Sequence, residues 1–198
     1  MTDFQSFDAL AFHSCDRELG LRLINGTDEL RPSDNEWDWL GPGIYFWEQD
    51  PARALEYATD TADGKQKNKK APETPFVVGA VIQLGNCLNL VESTALDILS
   101  TAYAGLKELT DKMSVPMLTN QGKNRALDCA VIKYIHEANR QADKPAYDTI
   151  RCAFPEGDAA YPGAMISKRL HIQICVCNPD VIKGYFLPKP VEKFNPHL

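Results

Sequence analysis

The sequence predicts an α+β fold, with short strands toward both ends of the chain and a helical insertion in the middle. Three observations lead there. Residues 170–177 alternate strictly, with Leu170, Ile172, Ile174 and Val176 on one side and His171, Gln173, Cys175 and Cys177 on the other. That is the period of a strand with one face in the core and the other lining a cleft. Residues 76–84 are short and nearly all apolar, the pattern of a central strand. Between these, Leu96, Leu99, Tyr103 and Leu106, and then Leu127, Val131, Tyr134 and Ala138, recur at spacings of three and four. They predict two amphipathic helices within residues 93–142.

The remaining elements follow in order. Residues 7–12 read as a buried strand that delivers His13 and Ser14 at its end, and Asp16 suits the start of a helix carrying Leu19, Leu23 and Ile24. Residues 25–38 are polar and predict a surface loop. Gly41-Pro42-Gly43 is a turn signal, followed by the aromatic and β-branched strand Ile44-Tyr45-Phe46-Trp47. Asp50-Pro51 reads as an N-cap with proline in the first helical position, opening a helix with Ala54, Leu55, Ala58 and Ala62 on one side. Residues 63–75, dense in Gly, Lys, Asn and Pro, predict a mobile loop. Residues 153–167 predict an irregular loop because of Pro155, Gly157, Pro162 and Gly163, and residues 181–187 a last strand after the Asn178-Pro179 turn.

A chain of 198 residues is long enough for one substantial core and too short for two ordinary domains. We therefore expect a single domain over residues 1–198. The net charge of −6 argues against a broad basic face for polyanions. The local run Lys65-Gln66-Lys67-Asn68-Lys69-Lys70 reads as a solvated loop, and Arg125 with Asp128 as a surface pair. Six scattered cysteines form no C-x-x-C pair, so reduced thiols and no metal site are expected. No segment has the apolar length of a membrane span or the pattern of a signal peptide. The expected location is the cytoplasm, or a destination reached without an N-terminal signal.

At three places the residues resemble a known family. Leu10-Ala11-Phe12-His13-Ser14 resembles the first-strand His motif of the H-Y-E branch of the ADP-ribosyltransferases, the diphtheria-toxin and poly(ADP-ribose) polymerase type. Gly41-Pro42-Gly43-Ile44-Tyr45-Phe46 resembles its G-x-G-I-Y-F motif, followed by a helix with a second aromatic, Tyr57. His171-Ile172-Gln173-Ile174-Cys175-Val176-Cys177-Asn178-Pro179 resembles its E-Y-I-V-Y-D-P strand, with Gln173 at the position of the catalytic Glu. The resemblance implies a split-sheet architecture, two packed and mostly antiparallel sheets with an NAD cleft between them. It implies NAD as co-substrate and no metal.

The resemblance also implies roles. Tyr45 and Tyr57 would stack on nicotinamide, the His13 side chain would bond an adenosine-ribose hydroxyl, and the Ser14 backbone would hold the carboxamide. Gly43, with Gly41, lets the backbone turn tightly into the strand bearing Tyr45 and Phe46. Gln173 can accept a ribose hydroxyl bond but supplies neither negative charge nor a base. A preorganised electrostatic group is typically worth about 2 to 4 kcal/mol of transition-state stabilisation, so a Gln here implies slow turnover and no chain elongation. Glu156 is a candidate replacement carboxylate, and His171, two residues before Gln173, a candidate for contact with the acceptor or for proton removal.

Four functions are compatible with these residues. The first is mono-ADP-ribosylation of a macromolecular acceptor, protein or nucleic acid, as by a bacterial toxin or effector with a cognate inhibitor. The second is an NAD- or ADP-ribose-binding module, favoured by Gln173. The third is an NAD glycohydrolase. The fourth is a phosphate-transferring relative acting on RNA ends, which needs basic cleft residues where Tyr45 and Gln173 stand.

Overall fold

The computed structural model describes residues 8–65, 71–122 and 124–198. Residues 66–70, which belong to the basic run and to the predicted mobile loop, lie outside the described residues.

Strand β1 (Asp8–Asp16) ends at Asp16, whose carboxylate accepts from the Glu18 N–H and caps helix α1 (Arg17–Ile24). Strand β2 (Ile44–Glu48) leads to helix α2 (Pro51–Ala62), which starts at the Asp50 cap with Pro51 in its first turn. Both caps satisfy N–H groups that the first turn of a helix leaves unpaired. Strands β3 (Pro75–Gln83) and β4 (Cys87–Asn89) precede the two predicted helices, α3 (Ser93–Met113) and α4 (Ala126–Gln141). Strands β5 (Thr149–Ala159) and β6 (Ser167–Val176), a 3-10 turn (Pro179–Val181), strand β7 (Ile182–Phe186) and the short helix α5 (Val191–Phe194) complete the chain.

The strands form one seven-stranded mixed sheet in the order β4-β5-β6-β2-β1-β3-β7, rather than two packed sheets. Every neighbouring pair is antiparallel except β4 with β5. The sheet stays continuous because β1 and β2 still pair, through Ala11 with Glu48 and Phe12 with Trp47.

Helices cover both faces. On one, Leu23 of α1 packs with Ala11, Phe46, Val78, Ile174 and Val176. On the other, Ala102 of α3 and Ile132 of α4 pack with Leu88, Ile150 and Cys175. On that second side α2 sets Ala54 against Phe12, Trp47 and Val77. The alternation of β6 is therefore real, but both of its faces reach a core. Cys175 is fully buried, while Leu170, expected in the core, is 49% exposed where β6 runs beyond the helices.

Two boundaries differ from the sequence reading. Strand β1 runs to Asp16 because β3 pairs with it over its whole length, from Asp8 with Gln83 to Asp16 with Pro75, so His13 and Ser14 lie inside the strand. The irregular loop predicted for 153–167 is strand as far as Ala159. Its proline is tolerated because β4 is only three residues long and leaves the rest of β5 at an edge. Pro155 has the parity of Arg151, whose carbonyl faces β4 and accepts from Leu90 N at 2.8 Å, so the missing N–H points to the open edge.

Among the described residues no helix is long and apolar enough to cross a membrane.

Candidate functional site

The site begins where β1 and β2 stop pairing. Continued by two residues, their register would set Ser14 against Tyr45, but the pairing ends at Phe12 with Trp47. The Tyr45 carbonyl accepts instead from Nδ1–H of His13 at 2.8 Å. This bond fixes the tautomer, leaving Nε2 as an acceptor in the neutral ring. The neighbouring strand sets the direction of Ser14. Val77 gives its N–H and C=O to the Asn195 amide, at 2.7 and 3.0 Å, on the side away from β1. In an antiparallel ladder its partner Ser14 then turns its own backbone groups the opposite way, into the seam beside β2.

A cavity of about 1320 Å³ opens at this seam. Its wall includes His13 and Ser14 of β1, Gly43 and Tyr45 at the start of β2, Tyr57 of α2, Gln173 of β6 and Glu156 of β5. Five elements remote in sequence thus bring seven of the proposed site residues to one space.

Tyr45 carries two further bonds. Its hydroxyl accepts from Leu40 N at 3.0 Å and donates to Gly41 O at 2.6 Å, bracing the turn that precedes β2. Burial pushes the phenol above its ordinary pKa, so it remains a donor. The turn is also closed from below. Gly41 sits at φ 75°, and a Cβ at Gly43 would meet Cys175 Sγ at 2.3 Å and the Val176 carbonyl at 2.8 Å, so β2 can approach β6 only with glycine here.

Phe46, grouped with the cofactor residues by motif, faces the opposite side of the strand and is fully buried in the α1-side core. The alternation of β2 puts Tyr45 and Trp47 on the cavity side instead. Trp47 is the direct cross-strand partner of Gln173, and Tyr57 lies 5.0 Å from it, ring to ring.

His171 does not line the cavity. It is 5% exposed and rests on Phe154, with ring centres 5.9 Å apart. Its Nδ1 bonds the Arg169 carbonyl at 2.7 Å, and its Nε2 lies 2.9 Å from Nε2 of Gln173. Glu156 lines the wall but is four register pairs of the β5–β6 ladder away from Gln173, about 13 Å along the strand. Its Oε2 pairs with Nη2 of Arg53 at 2.7 Å.

Arg53 is the principal residue that sequence reasoning missed. It is 8% exposed, pairs with Glu156 and Glu56, and lies over the Trp47 ring at 6.0 Å. The signal was present, because Arg53 and Tyr57 are four apart in a helix and share a face. Arg125 was also misread. Asp128 accepts from Asn120 at 2.9 Å, while Arg125 stacks over Trp39 at 4.6 Å and joins the cavity wall with Gly122. The helical insertion thereby contributes to the cleft. Asp38, also on the wall, is buried and accepts from Ser33 Oγ at 2.7 Å and Asn35 N at 3.1 Å, which folds residues 33–38 against the cavity.

All six cysteines are free thiols. Cys177 is the unusual one. The neighbouring Cys175 thiol, aided by His136 at 4.0 Å and opposed by burial, lowers its pKa below the ordinary thiol value to about 6. Cys175 is shifted upward in return, by the neighbouring Cys177 and by its burial. A depressed thiol stabilises the fold above its ordinary pKa and loses that contribution as pH falls through about 6. Alkylation of Cys177 by iodoacetamide, followed by mass spectrometry, is expected to hold its plateau at neutral pH and to halve near pH 6. A midpoint at the ordinary thiol value of about 8.5 would contradict this.

Among the described residues no group of three or more His, Cys, Asp or Glu side chains is arranged to hold a metal ion. No known family model matches the chain, and no solved structure matches it. A protein of Methanocaldococcus jannaschii, named only as uncharacterized, is 27% identical over 203 residues, covering 92% of this chain and 90% of the relative.

Proposed function

We propose that this protein is an ADP-ribosyltransferase that binds NAD across the β1–β2 seam and transfers ADP-ribose to a macromolecular acceptor, releasing nicotinamide. The observation that carries this reading is the meeting of His13, Ser14, Tyr45, Tyr57 and Gln173 on one cavity wall. In this reading the seam is the split of the ADP-ribosyltransferase sheet. Nicotinamide lies by Tyr45 and Tyr57, and its carboxamide meets the Ser14 backbone groups that the ladder leaves facing the seam. Nε2 of His13 accepts a ribose hydroxyl, and Gln173 accepts another on the nicotinamide side. Among the wall arginines, Arg31 and Arg125 make no ion pair within the described residues and suit the pyrophosphate, whereas Arg53 and Arg169 are engaged by Glu156, Glu56 and Asp60.

The reaction breaks the bond between ribose and nicotinamide, the ring leaving with the bonding electrons. A nucleophile on the acceptor then attacks the oxocarbenium-like ribose and gives up its proton. Hydrogen bonding by Gln173 orients the ribose but leaves its positive charge uncompensated.

A second reading, an NAD- or ADP-ribose-binding module, is favoured by one observation: Glu156 is held by Arg53 and not near Gln173. Incubation with NAD labelled in the adenylate, in the presence of cell lysate, separates the two. The enzyme reading expects free nicotinamide and labelled macromolecules. Calorimetric NAD binding with neither product selects the binding module, and free ADP-ribose without a labelled acceptor selects a glycohydrolase. The absence of both binding and turnover would sink the NAD reading.

A further inference from the structure

We propose that His171 is a positioning residue, which fixes the amide of Gln173 with its oxygen toward the cavity and its nitrogen toward the protein. This deepens the reading of Gln173 as the residue beside the reacting ribose and rests on it. The two side chains lie on the same face of β6, two residues apart, with nitrogen 2.9 Å from nitrogen. Two nitrogens at that distance need one donor and one acceptor. The Gln173 nitrogen has only protons to offer, so the acceptor is the imidazole.

The imidazole is held in the state this requires. Nδ1 lies 2.7 Å from the Arg169 carbonyl, which can only accept, so Nδ1 carries the proton and Nε2 keeps its lone pair. Stacking on Phe154 and near-complete burial leave the ring little freedom to turn. The chain of bonds therefore runs in one direction, from Gln173 N–H to His171 Nε2 and from Nδ1–H to the Arg169 carbonyl. Gln173 lines the cavity, and with its nitrogen committed the oxygen is the atom it presents there. A ligand must then bring a donor, such as a sugar hydroxyl, to this point. An unanchored amide would offer either end, and half of its orientations would set N–H against that hydroxyl proton.

Two variants and one spectroscopic measurement test the assignment on the full chain. His171→Leu keeps bulk against Phe154 but offers no acceptor, whereas His171→Gln can present an amide oxygen near the position of Nε2. For nicotinamide release, His171→Leu is expected to lower kcat about tenfold with KM for NAD changed by no more than about threefold, and His171→Gln to recover most of the loss. Equal melting temperatures of the two variants would show that the difference is not one of folding. Nitrogen-15 NMR of the histidine rings, with His171 assigned through its absence in the variants, is expected to show a neutral ring protonated at Nδ1. A ring protonated at Nε2, a leucine variant as fast as wild type, or a glutamine variant as slow as leucine would each overturn the proposal. If wild type neither binds NAD nor releases nicotinamide, the functional reading fails by itself, and the ring protonation still decides the role of His171.

Discussion

His13→Ala is expected to reduce kcat/KM for nicotinamide release by about a hundredfold, because the imidazole does more than contact a ligand. Its Nδ1–H occupies the Tyr45 carbonyl at the point where the β1–β2 ladder stops. Without it that carbonyl is free to take the Ser14 N–H, which would extend the ladder and draw the two strands together over the seam. Misplacement of reacting groups by about 1 Å is enough for a loss of that size. Kinetics of nicotinamide release and NAD calorimetry on the purified variant measure it, with a urea melt to show that it is folded. The lost bond should cost about 1 kcal/mol of stability. Activity within about threefold of wild type would remove His13 from the site.

The second large effect concerns stability. Asn195→Leu is expected to lower the unfolding free energy by about 4 kcal/mol, measured by urea denaturation. Asn195 is 2% exposed and its amide pairs with both the N–H and the C=O of Val77, as a strand residue would. Leucine fits the volume but leaves two buried backbone groups unpaired, at about 1 to 3 kcal/mol each. A loss below about 1 kcal/mol would mean that water or a shifted strand replaces the amide. Because the Val77 N–H loses its partner, its hydrogen exchange should rise in the same variant.

The sequence made the local elements plain wherever local chemistry decides them. Asp16 and Asp50 cap helices through their own side chains, and the spacings within 93–142 are those of α3 and α4. Tyr45, Tyr57, His13 and Gln173 were legible as a set through their motifs, and they line one cavity. What was hidden depends on partners distant in the chain. Pro155 and Gly157 look like loop residues until it is known that β4 ends early and leaves β5 an open edge. Arg53 and Glu156 are 103 positions apart, so neither announces the other. The outward face of Leu170 reflects how far the helices reach along β6, which no alternation reveals. The single sheet was obscured for the same reason, since two register pairs between β1 and β2 decide whether there is one sheet or two.

Those two pairs also make the sheet mechanically unequal. The β4-β5-β6-β2 and β1-β3-β7 halves are stiff plates stitched by a few rungs at one end, with α2 as the strap across the back. Thermal motion concentrates at the least bonded line in such a structure, so the plates can flex about the stitch while each stays rigid. A molecule gripping both plates would act as a missing rung. It would raise the melting temperature out of proportion to its size, and slow amide exchange first at Ser14 and Tyr45, on the two lips of the hinge.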